Sequence, residues 1–480
     1  MSRLSLLVLL TSISILFSCA DTLAQSIEHS RIKSDEQLSD AYVDLINDEY
    51  KILKKEIDGP YKKELKEYYE SRTSYLESMA KRDYLILEQS THEMVQSIID
   101  EIARTNTQYD LSKVKPYFSR QYWPNAYSVG EGTICVNVGF LPHLESVDEF
   151  AFTLCHEVAH FLLKHSERSL IKQLDYINSK ETQEKIKEIK NTEYYQNAKL
   201  KELVVDNLFS QRAHSRDEEG AADSLGFELF KNTKYHKGAA ISLIEKLKVM
   251  NEYIDTSDIR MDRLLWIEIP ENEESKGVKI RDEDGIGLEF GDALETHPKC
   301  DDRIAALNEM AKEQSVELDR GATPDPVFQE SKTIMELEMI ESYIFYLKFD
   351  RALLKAARLL KKYPDSEYLQ SIICYTYSRM ILERKNYNLV EFASMPHNNE
   401  DQAFTDLLSI LHFNRIGNLT KSAEKIMDRW FEEDSMNERM WVSKVIMAEL
   451  KDNGVEVERV QNIYKKKFPE GRYNNYVWGF

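Results

Sequence analysis

The sequence predicts a mainly α chain with a small β-sheet: an α+β domain followed by an α-helical repeat-like domain. Three observations carry this. Residues 26–112 are charged and helix-forming, with Leu, Ile and Tyr at helical spacing and few Gly or Pro. Thr133-Ile134-Cys135-Val136-Asn137-Val138 is a strand signal, following an aromatic stretch from Tyr117 to Tyr127 marked by Pro116 and Pro124 and a turn at Ser128 to Glu131. From about residue 330 the chain reads as helical almost throughout.

Taken in order, residues 1–20 read as an export signal rather than part of the fold. Arg3 gives a short positive start, and Leu4 to Phe17 is an apolar run too short for a comfortable membrane span. Two processing readings compete. Leu16-Phe17-Ser18-Cys19 resembles a bacterial lipobox, which would make Cys19 the lipidated first residue and give the chain a lipid anchor. Alternatively, signal peptidase cuts after Ala20 or Ala24. Residues 26–112 then form an N-terminal helical segment of two or more long amphipathic helices, a packing and support layer, with a break or helix start at Pro60.

Residues 113–320 form the next domain. After the strand, Ser146-Val147-Asp148-Glu149 is a capping-box pattern that opens a helix. Residues 166–210 are rich in Lys, Glu and Gln and read as a mobile helical excursion. Ser215-Arg216-Asp217-Glu218 is a second capping-box pattern, opening a helix to about Phe230, and another helix lies near 236–252. Residues 255–295 are acidic and Gly-containing, as loops and short strands are. Residues 301–314 return to helix. In 330–480, Tyr343, Ala352 and Pro364 sit at offsets compatible with one tetratricopeptide unit. A nonrepeating bundle is the alternative.

A length of 480 residues allows roughly two to four domains. Hydrophobic residues at 42% permit globular cores, and a net charge of -20 argues against a nucleic-acid partner, which needs a basic footprint. After Cys19 four cysteines remain, Cys135, Cys155, Cys300 and Cys374, with no C-x-x-C spacing, so free buried thiols are expected.

The chemistry is concentrated in His156-Glu157-Val158-Ala159-His160, an H-E-x-x-H pattern in the apolar run Phe150 to Leu163. Residues four apart share a helix face, so His156 and His160 can offer two imidazole nitrogens to one Zn2+ ion, one per chain. Glu157 then stands beside the ion as general base for a zinc-activated water. Cys155 is adjacent to His156 and points elsewhere. His165, five residues past His160, is expected off the ligand face, in solvent or packing.

A catalytic zinc site needs a third protein ligand. Glu219 is the best candidate, because Glu219, Asp223 and Gly226 share one face of the helix that Ser215 opens. Glu219 can bind zinc while Asp223 accepts from the distal N–H of a ligand histidine, and Gly226 lets the helix approach another closely. Glu218 is the rival by composition but points about 100° away. Thr133–Val138 has two readings: an edge whose Thr133 and Ile134 backbone pairs with an extended substrate, or a plain core strand.

Asn125-Ala126, Gly130-x-Gly132-x-Ile134, Gly139-Phe140-Leu141, His156-Glu157-x-x-His160, Glu219-x-x-x-Asp223, Thr296-His297-Pro298 and Arg303-Ile304 occur in the order seen in the peptidase family containing HtpX and the CAAX prenyl endopeptidases. Over roughly residues 110–315 the chain resembles that family. It is most similar to exported bacterial members that lack membrane spans and often carry tetratricopeptide repeats at the C-terminus. Ala221 stands where many members have Glu, and Phe140 where Leu is usual; neither is an inferred ligand. The resemblance implies a zincin-like metallopeptidase domain of the gluzincin type, with Asn125 and Ala126 near substrate. It makes His297 the candidate catalytic donor to the oxyanion, or else a fourth zinc ligand in a resting state. Arg303 would hold that segment through a carboxylate.

The expected activity is an exported zinc endopeptidase in the periplasm or anchored to the envelope membrane. Its partners would be unfolded or misfolded proteins, with an envelope partner on the C-terminal helices. The alternatives are a noncatalytic partner-binding protein with a vestigial metal site, and another class of zinc hydrolase.

Overall fold

The computed structural model describes residues 27–191, 216–250, 259–270, 300–396 and 401–478. The chain divides into two compact units. One comprises Ile32–Tyr253 and Asp282–Met339; the other comprises Met1–Arg31, Ile254–Arg281 and Ile340–Phe480. No helix among the described residues is long and apolar enough to cross a membrane.

The first unit is built on a four-stranded mixed sheet of order β1-β2-β4-β3: β1 (Leu85–Ile86), β2 (Lys115–Ser119), β3 (Ala126–Gly130) and β4 (Thr133–Asn137). β4 runs parallel to β2 and antiparallel to β3. The β3–β4 register shifts between Ser128 and Gly130, and the tight turn that follows uses Gly132 at φ +100. A Cβ on Gly132 would fall 2.1 Å from the Lys113 carbonyl oxygen, so only glycine fits there.

Alternation along the strands feeds two cores. Tyr117 and Cys135 face helices α1 (Glu36–Glu56) and α2 (Lys62–Lys81), packing with Tyr42, Ile46, Leu76 and Met79. Phe118, Ile134 and Val136 face the opposite core, which holds Ile98 and Ile99 of α3 (Gln89–Thr105) and Phe150 and Leu154 of α4 (Val147–Leu162). The N-terminal helices therefore share a unit with the sheet. Asp35 Oδ1 caps the first turn of α1, accepting from the Gln37 and Leu38 amides, and fixes where that layer starts.

One sequence expectation is corrected here. Thr133–Asn137 is no edge; it is paired on both sides and wholly buried. Its run of β-branched residues reads equally well as edge or centre, and the pairing partners that decide between them are remote in sequence. Thr133 and Ile134 have their backbone committed to β2 and β3 and cannot pair with a substrate. The edge nearest the H-E-x-x-H helix is β3, against which α4 packs.

Beyond α4 come α5 (His165–Asn178), α6 (Lys180–Asn191), α7 (residues 216–230), α8 (Ala239–Met250), the short α9 (Met261–Leu264, in the second unit) and α10 (Cys300–Glu313). The described part of the charged excursion is thus helical; its remainder and Ser215 lie outside the described residues. The four cysteines after Cys19 carry no disulfide, and Cys135, Cys155 and Cys374 are buried.

α11 (Pro326–Phe345) begins in the first unit, where its Glu338 accepts from the fully buried Arg120 at 2.8 Å. The second unit is helical: α12 (Phe349–Lys362), α13 (Glu367–Lys385), α14 (Gln402–Phe413), α15 (Ile416–Trp430), α16 (Glu438–Leu450), α17 (Gly454–Lys467) and α18 (Asn474–Trp478). α13 lies at its centre, packed against α12, α15 and α16 and buried round most of its circumference. Glu341, also on α11, is buried with Arg439, Arg472 and the Tyr368 hydroxyl on it. Burial would raise its pKa, but the two guanidinium groups outweigh that and hold it at about 2. This unit also includes residues 27–31: the Ser366 hydroxyl donates to the Ile27 carbonyl, and the Arg31 guanidinium lies 5.2 Å from the Phe345 ring centre.

Candidate metal centre

α4 starts where the sequence says it should. The Ser146 hydroxyl accepts from the Glu149 amide at 3.3 Å, while Glu149 Oε2 accepts from the Glu145 amide at 2.7 Å. Almost every later residue of α4 is buried, so the helix is gripped all round and its polar residues are held in place. His156 and Glu157 are among them. α7 packs across α4 so closely that a Cβ on Gly226 would lie 3.0 Å from the His156 Cα. That approach brings Glu219 and Asp223, one turn apart on α7, to the two histidines.

His156 Nε2 and His160 Nε2 lie 3.0 Å apart. Glu219 Oε2 is 3.4 Å from the first and Glu219 Oε1 is 3.5 Å from the second. Among the described residues these three side chains form the one group whose donor atoms converge as a metal site requires, all within 4.8 Å of one another. Zinc–nitrogen and zinc–oxygen bonds of about 2.0–2.1 Å in a tetrahedron put neighbouring donors about 3.3 Å apart. The observed spacing fits that ion. Two imidazole nitrogens and one carboxylate turned on one point also make a poor hydrogen-bonded cluster and a good cation site.

Behind this set, His156 Nδ1 lies 3.0 Å from Asp223 Oδ1, and Arg303 of α10 donates to Asp223 through Nε and Nη2 at 2.6 and 2.7 Å. The ring of His156 is thereby fixed with Nε2 towards the centre. Burial opposes charge on His156, but Asp223 and Glu219 overcome it and hold its pKa up at about 10. His160, buried beside His156, is pushed down to about 3. Burial also raises the Glu157 carboxyl, to about 7, with the Ser128 backbone N–H of β3 facing it and holding it back in part. A buried carboxyl tuned to neutrality beside a cation site is poised to take and return a proton.

Glu218 turns away from the centre. It accepts from Ser169 Oγ at 2.7 Å and from Lys172 Nζ at 2.9 Å, both on α5. His165 lies off the ligand set, as expected, in a packed position. It is buried, 6% exposed, and its Nδ1 lies 2.8 Å from His160 Nδ1. α4 ends at Leu162, Lys164 takes a left-handed conformation (φ +52), and α5 begins at His165, so the chain doubles its ring back onto His160. Nothing in the local sequence marks this break, since Lys rarely adopts that conformation.

Asn125 is exposed just before the edge strand, and Ala126 is its first residue. Ser128, two residues further along β3, turns its backbone N–H to Glu157, a role that its residue type does not signal. His297 and Cys19 lie outside the described residues.

In comparison with known proteins, the family model described as Peptidase family M48 matches residues 87–311, beginning earlier than the motifs alone suggest and taking in α3 and strands β2 to β4. No curated protein matches the chain.

Proposed function

We propose that this chain is a metallopeptidase, an exported zinc endopeptidase that cuts loosely folded proteins of the envelope; the match of residues 87–311 to the Peptidase family M48 model and the His-His-Glu group within them support the reading. The observation that carries the reading is the convergence of His156, His160 and Glu219 at zinc-like spacing with Glu157 beside them.

Zinc held by those three residues supplies a Lewis acid for the scissile carbonyl and lowers the pKa of an attacking water. Glu157 takes the proton of that water and returns it to the leaving amine. Its neighbour Ser128 places β3 along the reacting groups, and β3 is a sheet edge. An extended peptide can pair with its free backbone side, starting near Asn125 and Ala126. Such pairing uses main-chain groups, which suits unfolded segments of many sequences. His297 precedes Cys300, the first residue of α10, by three positions, and α10 is tied to Asp223 through Arg303. That tether supports His297 as the donor to the carbonyl oxygen as it gains charge.

Export rests on Arg3, the apolar run Leu4–Phe17 and Cys19. Intact mass of the protein purified from its native host separates acylated Cys19 from cleavage after Ala20 or Ala24. For the activity, casein hydrolysis is compared between wild type, wild type with chelator, and Glu157→Gln. Loss in both treatments, restored by added zinc in the first alone, is expected. Hydrolysis untouched by either leaves a partner-binding protein with a vestigial site.

A further inference from the structure

The geometry points to His165 as the positioning residue of the metal ligand His160: its Nδ1 accepts the Nδ1–H of His160 and so leaves the His160 Nε2 lone pair for the ion. This rests on the zinc reading of the site.

Two facing imidazole nitrogens 2.8 Å apart share one proton, so one donates and the other accepts. His160 Nε2 faces His156 Nε2 and Glu219 Oε1, the side on which the cation belongs. A ring that offers Nε2 to a metal carries its proton on Nδ1, and that N–H needs an acceptor. His165 Nδ1 is the atom in reach. The rings meet edge to face, centres 4.8 Å apart at 78°, which directs one nitrogen at the other instead of stacking them.

The partner is also held. His165 opens α5, and α5 is fastened on two sides. The Tyr69 hydroxyl donates to Glu167 at 2.7 Å, and Ser169 and Lys172 donate to Glu218 on α7. The two ligand histidines are therefore backed differently: His156 by a carboxylate that is itself paired with Arg303, His160 by a second imidazole.

The test is zinc affinity, measured by competition with a chromogenic chelator, for wild type, His165→Phe and His165→Asn. Phe keeps the ring and removes the acceptor; Asn places Oδ1 near the position of Nδ1. The Phe variant should lose about 10–100-fold in affinity, and the Asn variant should recover most of that loss. Melting of the metal-free proteins separates this from unfolding, because a merely structural histidine would leave Asn no better than Phe. If neither variant folds, imidazole 15N shifts of the zinc-loaded wild type decide: the proton should sit on His160 Nδ1 and be missing from His165 Nδ1. A Phe variant that binds zinc like wild type, a folded Asn variant as weak as Phe, or a proton on His165 Nδ1 overturns the inference alone. Wild type that binds no zinc overturns the metal reading itself, and this inference with it.

Discussion

Glu157 and His156 are adjacent in sequence, and the pKa of each is raised for a different reason. Burial raises the Glu157 carboxyl to about 7, while Asp223 and Glu219 hold His156 at about 10 against its burial. Two expectations follow at this scale. A base works only when deprotonated, and a bound dication pulls the carboxyl down from its metal-free value. The acid limb of kcat/KM should therefore lie at or below pH 7, with activity falling as pH drops through it. A pH–rate profile still rising steeply above pH 8 would contradict this. His156, protonated at pH 7 in the metal-free site, must give up that proton to bind zinc. Calorimetry in buffers of different ionisation enthalpy should show between one and two protons released per zinc at pH 7, about one from His156 and part of one from Glu157, and release of only about half a proton would mean that His156 is already neutral. The ligand histidines and Glu157 were readable from the sequence because a helix repeats at a fixed angle. The contact of His165 with His160 was not, because a single left-handed residue, Lys164, resets that angle.

At the scale of elements, the site is the crossing of α4 and α7, and Gly226 sets how near they come. Gly226→Ala places a methyl 3.0 Å from the His156 Cα, between two backbones that cannot yield as a flexible side chain would. The helices must part. A loss of about 1–3 kcal/mol in thermal stability is expected, with weaker zinc binding because Glu219 and Asp223 move with α7. An unchanged melting temperature and zinc affinity would show that the crossing can relax. The same face, Glu219-x-x-x-Asp223-x-x-Gly226, was legible because its three members follow helical spacing within one short segment. Strand placement was less so. Thr133–Asn137 shows its β character locally, yet its central position depends on pairing with Lys115–Ser119 and Ala126–Gly130, which no local pattern encodes.

For the whole molecule, the chain divides into a sheet-containing unit and a helical one. The helical unit has its own buried anchor. Arg439→Met would leave the fully buried Glu341 with Arg472 as its remaining cation, and a cost of about 3 kcal/mol is expected for removing one partner of such a pair. Zinc affinity should be unchanged, because Arg439 and Glu341 lie outside the unit that holds His156, His160 and Glu219. A variant that melts like wild type, or one that loses zinc, would count against this division of labour. The helical unit also gathers its residues from three stretches of chain, beginning with those before Ile32. Gene truncation after residue 330 would therefore not release a free-standing peptidase. It would strip Ile27 and Arg31 of Ser366 and Phe345, so separate expression of the two parts calls for circular permutation or co-expressed fragments, not a single cut.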